Sequence, residues 1–429
     1  MLLVALSSAQ SRPLSLIRDA EIETIIGAYA APLFAAARLD PAAVEIKIVK
    51  SPHLNAFVAG GQRIFIFTGL LLAADRPDEV KGVIAHEVGH IAGGHLARLH
   101  DRLRRANAQA IVSTLIGLAA AIGSGRGDAG AAAIAGGQQV ARRSLLQYSR
   151  TQESAADQAA LAYLADTGSS PRGLLTFLEK LSDREALLVG DGDSYLLTHP
   201  LARERVALLR AQLDAAPIRE ARPDAEELLA FARMQAKLRG FLDEPAKTLR
   251  LYPAADSSQP ARYARAIAYH RQAEIAKALA EIDGLLAESP DDPFFHELAG
   301  QVLFEAGEAA RAIAPLKRAV EILPAPMLRL ALARAQIATG DSRAAIGHLR
   351  AVVETDPDAA AGWRELAVAY GRDDQLGLSA LASAEFSIRT GRQRDARRHA
   401  GRASRLLPQG SPGWLRAQDI ETALAGKGR

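Results

Sequence analysis

The sequence predicts a mostly α-helical chain in two parts, an α+β domain with a small antiparallel sheet followed by a solenoid of paired helices. Three observations carry this expectation. The 429 residues exceed the usual size of one domain. The composition is 49% hydrophobic and rich in Ala but only 5% aromatic, which suits stacked helices better than β-sandwiches. Glycines recur at regular intervals in the second half, among apolar residues at helical spacing.

From the N-terminus, Met1 to Leu6 is an apolar run followed by Ser7-Ser8-Ala9-Gln10, small residues of the kind that precede signal cleavage. Residues 1–10 therefore read either as the remnant of a signal peptide whose basic region is missing or as a buried N-terminal helix or strand, and the first, with export, is the expectation. No window reaches the ~20 apolar residues of a spanning helix; Ile111 to Ile122 is too short, so a soluble or peripheral protein is expected. Leu16, Ile17, Ile22, Ile25 and Ile26 recur at helical spacing and predict an amphipathic helix within residues 14–38. Val44, Ile46 and Ile48 alternate with polar residues as a strand, and Asn55 to Val58 and Ile64 to Phe67 read as two more around Gly60-Gly61. Asp78 stands where a helix N-cap belongs, and Val80, Val83, Ile84 and Val88 continue at helical spacing. Between Arg105 and Arg142 the chain is Ala/Gly-rich, and a helix then runs through Glu153 toward Leu164. Helices near 171–183 and 200–213, separated by Gly190-Asp191-Gly192-Asp193, complete the domain. Pro217 to Pro223 reads as a linker, which sets the expected domains at 11–220 and 221–429.

In the second half, Gly307 and Gly340 each open a similar stretch and lie 33 residues apart, close to the 34-residue tetratricopeptide period. Pro290, Pro324, Pro357 and Pro408 close the units, and Ala312 and Ala345 are small where helices must approach. Gly391 follows Gly340 by 51 residues, one period and about half of another, which predicts an extra helix there. Such arrays bind proteins or peptides, so a protein partner on residues 221–429 is expected.

The chemistry lies in His86-Glu87-Val88-Gly89-His90, which fits H-E-x-x-H. At about 100° per residue the two histidines are one helical turn apart on one face and can hold one zinc ion, with Glu87 beside them to take a proton from the attacking water. With 0 Cys in the chain, the third ligand must be His or carboxylate. Two candidates compete for that place. His95 lies five residues after His90, where a metzincin would need six, and on a continuing helix it would point away from His86, so it reads as a histidine at the surface or just outside the ligands. Glu153, with Asp157 one turn on, lies on a later helix, where Glu153 would ligate and Asp157 would orient a ligand histidine.

Together these residues resemble the CAAX-prenyl-protease type of zinc metallopeptidases, with a gluzincin-like catalytic domain. The matching pieces are Asn55-Ala56-Phe57, the segment Ile64 to Leu71, His86 to His90 followed by His95, Ser149-Arg150, Glu153 to Asp157, and Thr198-His199-Pro200. The resemblance covers roughly residues 40–215 and implies one Zn2+ per chain on His86, His90 and Glu153, catalysis by Glu87 and support from Asp157. It further implies that Asn55, Ala56, Phe57 and Val58 form an edge strand onto which unfolded substrate adds as an extra strand. Exported members that carry tetratricopeptide repeats serve envelope quality control, which implies a periplasmic protease for misfolded or stalled exported proteins. In them a histidine in the region of His199 can take the open zinc position, so His199 is expected to cap the metal at rest, with Gly190 to Asp193 as hinge.

A formal net charge of +3 with dispersed basic residues leaves no nucleic-acid footprint. The competing reading is a repeat scaffold or chaperone with a largely latent protease site. A membrane-contacting role is set against a substrate-cleft cover for residues 108–137.

Overall fold

The computed structural model describes residues 15–98, 150–187, 199, 202–215 and 222–425. The chain forms two compact units: residues 1–18 with 22–235, and residues 19–21 with 236–429. The division falls inside the helix Ala225–Leu242. Residues 1–10, 108–137 and 190–193, with Ser149, Thr198 and Pro200, lie outside the described residues.

The first unit opens with β1 (Leu16–Ile17), α1 (Ala20–Ala36), β2 (Glu45–Val49), β3 (Ala56–Ala59), β4 (Arg63–Phe67), α2 (Thr68–Ala73) and α3 (Pro77–Ala92). A helix over 150–166 (α4), α5 (Arg172–Leu187) and α6 (Ala202–Ala215) follow. Leu16 and Ile17 do not join the first helix as expected. They pair with Val49 and Ile48 at the sheet edge.

The sheet has four strands in the order β1-β2-β4-β3, and it is mixed rather than antiparallel. β3 and β4 form the expected hairpin around Gly60 and Gly61, whose φ values of 59° and 99° suit glycine. β4, however, lies beside β2 in parallel register from Glu45↔Arg63 to Val49↔Phe67. Residues 50–55 carry the chain past the position next to β2, leaving β3 outermost. Alternation of apolar residues reports which face is buried, not strand direction, so this pairing was invisible in the pattern.

α3 starts two residues earlier than the N-cap reading of Asp78 required. Pro77 occupies the first turn, where its fixed φ suits a helix and its missing N–H costs nothing, and Arg76 is the capping position. Asp78 instead lies in the first turn, ion-paired to Arg76 at 3.1 Å, where a carboxylate favours the helix dipole. Val80, Val83, Ile84 and Val88 are buried on α3 as their spacing predicts, against a core that includes Leu174, Phe177 and Leu178 of α5.

Gly89 sets how close α4 comes to the motif helix. A Cβ there would stand 2.9 Å from the Ala156 carbonyl oxygen and 3.3 Å from the Ala159 Cβ. Gly89→Val is therefore expected to force the helices apart and destabilise the chain by about 1–3 kcal/mol. The urea midpoint reads this; an unchanged midpoint would show that α4 yields freely.

In the second unit, helices pair as hairpins: Gln259–Arg271 with Ile275–Glu288, Pro293–Glu305 with Ala309–Ile322, Pro326–Ala338 with Ser342–Thr355, and Ala360–Arg372 with Leu376–Arg389. Gln393–Leu406 and Pro412–Ala425 follow. Ala312 and Ala345 are fully buried between helices, as close approach requires. The hairpin turns carry positive φ at Ala273, Gly307, Gly340 and Asp374, separated by 34, 33 and 34 residues. Three helices lie between Gly340 and Gly391 where a regular period would place two. Asp374 supplies the left-handed turn that Gly supplies elsewhere, and Gly391 belongs to the next junction.

Candidate metal centre

Three helices and His199 bring the site together. α3 carries His86, Glu87 and His90, α4 carries Glu153 and Asp157, α6 carries Arg205, and His199 precedes α6. One ligand atom from each of His86, His90, Glu153 and His199 lies within 4.8 Å of each of the others. His86 Nε2 and His90 Nε2 are 3.0 Å apart, and each is 3.4 Å from a different oxygen of Glu153. His199 Nδ1 lies 3.1 Å from both Glu153 oxygens and 3.3 Å from His86 Nε2.

The donor set fits a zinc ion. Ligands at ~2.0–2.2 Å in a tetrahedron stand about 3.3–3.6 Å from one another, near these separations. The two Nε2 atoms also face each other while the far nitrogen of each ring is engaged outward, His86 Nδ1 by Asp157 Oδ1 at 2.9 Å and His90 Nδ1 by His95 Nδ1 at 2.9 Å. Facing lone pairs are satisfied by a shared cation. Burial, together with His86 and His199, holds His90 well below the usual imidazole range, whereas, against burial and Arg205, Asp157 and Glu153 raise His86. Although burial opposes it most, Glu153 and Glu87 raise His199 to about 10.

Glu87 is wholly buried, and neither of its carboxylate oxygens forms a hydrogen bond among the described residues. His199 Nε2 lies 3.3 Å from Glu87 Oε1. The same Nε2 is 3.3 Å from the Ala56 carbonyl oxygen on β3. His199 thus touches the Glu153 carboxylate, the Glu87 carboxylate and the strand edge at once. β3 covers Ala56, Phe57 and Val58 of the expected edge segment, with Asn55 buried just before it, and among the described residues it pairs only with β4.

Arg205 was not anticipated. It is buried, donates through Nε and Nη2 to the two oxygens of Asp157 at 2.7 and 2.6 Å, and places Nη1 2.8 Å from Glu153 Oε2. Burial would raise the Asp157 carboxyl, but the Arg205 guanidinium and His86 hold it below the usual range. The available signal was indirect: two carboxylates one turn apart on a buried helix face need a cation, and sequence does not say which.

His95 is not among the four clustered donors. α3 ends at Ala92 with Gly93 as its cap, and Gly94 turns the chain at a φ of 61°, so the helix does not continue and His95 folds back onto His90 rather than pointing away.

Residues 17–213 match the model of Peptidase family M48. The chain is related to the M48 metallopeptidases. It is 26% identical over 377 residues to the beta-barrel assembly-enhancing protease of Escherichia coli (strain K12), covering 82% of this chain and 76% of that one. The protein of the same name from Yersinia pestis is 26% identical over 343 residues, 78% of this chain and 70% of the relative. Metalloprotease LoiP of Escherichia coli (strain K12) is 30% identical over 174 residues, 40% of this chain and 64% of its own length. Among solved structures, the TPR protein YrrB aligns with 45% of this chain and 91% of itself at 18% identity, with a TM-score of 0.30. Among the described residues, no helix is long and apolar enough to cross a membrane.

Proposed function

We propose that the chain is a zinc-dependent endopeptidase that cleaves misfolded or stalled exported proteins in the periplasm of a Gram-negative bacterium. The observation that carries this reading is the meeting of His86, His90 and Glu153 beside a buried Glu87 that forms no hydrogen bond among the described residues, next to an edge strand. The similarity to beta-barrel assembly-enhancing proteases over most of the chain supports outer-membrane protein quality control as its setting.

His86, His90 and Glu153 would hold a zinc ion, which would supply the Lewis acidity for peptide hydrolysis. The remaining work falls to side chains and backbone. Glu87 takes the proton of the attacking water and returns it to the leaving amine. β3 receives the substrate backbone as an added strand, which aligns the scissile bond without demanding a particular side-chain sequence. Asp157 holds the His86 ring through Nδ1, and Arg205 fixes Asp157 and Glu153 together.

His199 acts as the latch. Its ring contacts Glu153, Glu87 and the Ala56 carbonyl, so it must leave before a substrate strand and water can occupy these positions. His199→Ala is expected to raise basal turnover of an unfolded protein by roughly tenfold, the effect of removing a resting preference of about 1.4 kcal/mol. Equal turnover in the variant and the wild type would sink the latch.

The test of the whole reading is cleavage of an unfolded protein by the zinc-loaded chain, stopped by a chelator and restored by zinc. Cleavage that a chelator leaves untouched would refute it. The His199 contacts also favour a second reading, in which the site stays closed and the repeat array serves as a scaffold. That reading gains if neither the wild type nor His199→Ala cleaves while both hold zinc.

A further inference from the structure

We propose that His95 is a positioning residue that fixes the proton and the orientation of His90, so that His90 presents its Nε2 lone pair to the metal. The inference rests on the metallopeptidase reading and deepens it. Its basis is a local break in the chain. Gly94 adopts a φ of 61°, a left-handed conformation that glycine takes without strain, directly after the motif helix ends. Gly93 makes room for the His95 ring, since a Cβ at Gly93 would lie 2.3 Å from His95 Nε2. The two glycines together let the buried His95 ring turn back under His90, with ring centroids 4.9 Å apart and planes at 83°.

A single distance places the proton. His90 Nδ1 and His95 Nδ1 are 2.9 Å apart, so one proton lies between them. With His90 Nε2 turned toward His86 and Glu153, the residues that would hold the zinc with it, its lone pair is given to the metal in that reading and the proton stays on Nδ1. His95 Nδ1 is then the acceptor. His86 receives the equivalent service from Asp157. The two ligand histidines therefore have unlike outer partners, a carboxylate for His86 and an imidazole for His90.

Zinc affinity, measured by chelator competition on the full chain with folding checked by circular dichroism, tests this. His95→Ala removes the acceptor and is expected to weaken zinc binding by about 10–100-fold. His95→Asn keeps an acceptor oxygen near the place of Nδ1 without the ring, and is expected to stay within about threefold of wild type. An affinity unchanged in His95→Ala overturns the proposal. So does His95→Asn binding as weakly as His95→Ala, which would make the ring a space filler. His86→Ala is the control for the underlying reading: if wild type binds zinc no better than this variant, the metallopeptidase assignment falls, and the role of His95 with it.

Discussion

Glu87→Gln is expected to lower cleavage of an unfolded protein by about 10²–10⁴-fold while zinc remains bound, the range that a positioned general base contributes. The substitution changes little else. Gln has the shape of Glu, and the Glu87 carboxylate makes no hydrogen bond among the described residues that the amide would have to replace. The clustered ligands His86, His90 and Glu153 do not include residue 87, so metal content should match that of wild type. Because His199 lies 3.3 Å from Glu87, the comparison is best repeated with His199→Ala in both chains, which removes the resting contact from the measurement. Cleavage within tenfold of wild type would mean that another group takes the proton. Loss of zinc along with activity would mean that the negative charge of Glu87 helps to hold the metal.

What the sequence revealed about this site divides by the kind of constraint involved. His86, Glu87 and His90 were legible because helical spacing alone puts them on one face, and Glu153 and Asp157 because the same spacing recurs on a second helix. Their meeting depends on α4 packing at Gly89, a tertiary contact that no local pattern encodes. Arg205 was missed, and the placement of His95 was left open between the surface and the ligands' surroundings, for related reasons. Arg205 lies on a third helix, 48 residues from Asp157, and an arginine on a helix is usually a solvated charge. His95 would point away from His86 only if the helix continued, and spacing could not say that Gly93 and Gly94 end it and reverse the direction of the ring. The direction of β4 beside β2 was hidden because an alternating strand looks the same run either way. In the repeats, the Gly307 and Gly340 turns were visible by composition, but Ala273 and Asp374 adopt the same left-handed turn without the residue that advertises it.

Arg205→Met should destabilise the chain by about 3–5 kcal/mol, because it leaves the buried Asp157 carboxylate without its cation and takes one of two cationic partners from Glu153, which keeps His199. Glu153 and Asp157 are each 3% exposed, so water cannot replace the guanidinium at either. Urea denaturation in the presence of chelator measures this loss free of any contribution from bound zinc. A loss below about 1 kcal/mol would place the pair in the class of solvated ion pairs and contradict that burial. Stability and metal binding can then be separated by Arg205→Met combined with Asp157→Leu. Replacing both partners of a buried ion pair by apolar residues is often neutral for stability, so much of the loss should be recovered. Zinc affinity should not recover, because the double variant still lacks the carboxylate that holds His86 Nδ1 at 2.9 Å. Recovery of both would show that the Arg205–Asp157 pair serves only to fill and neutralise the interior. Recovery of stability alone would assign the pair to aiming His86 at the metal, with the ion pair there because Asp157 must remain a buried anion to do so.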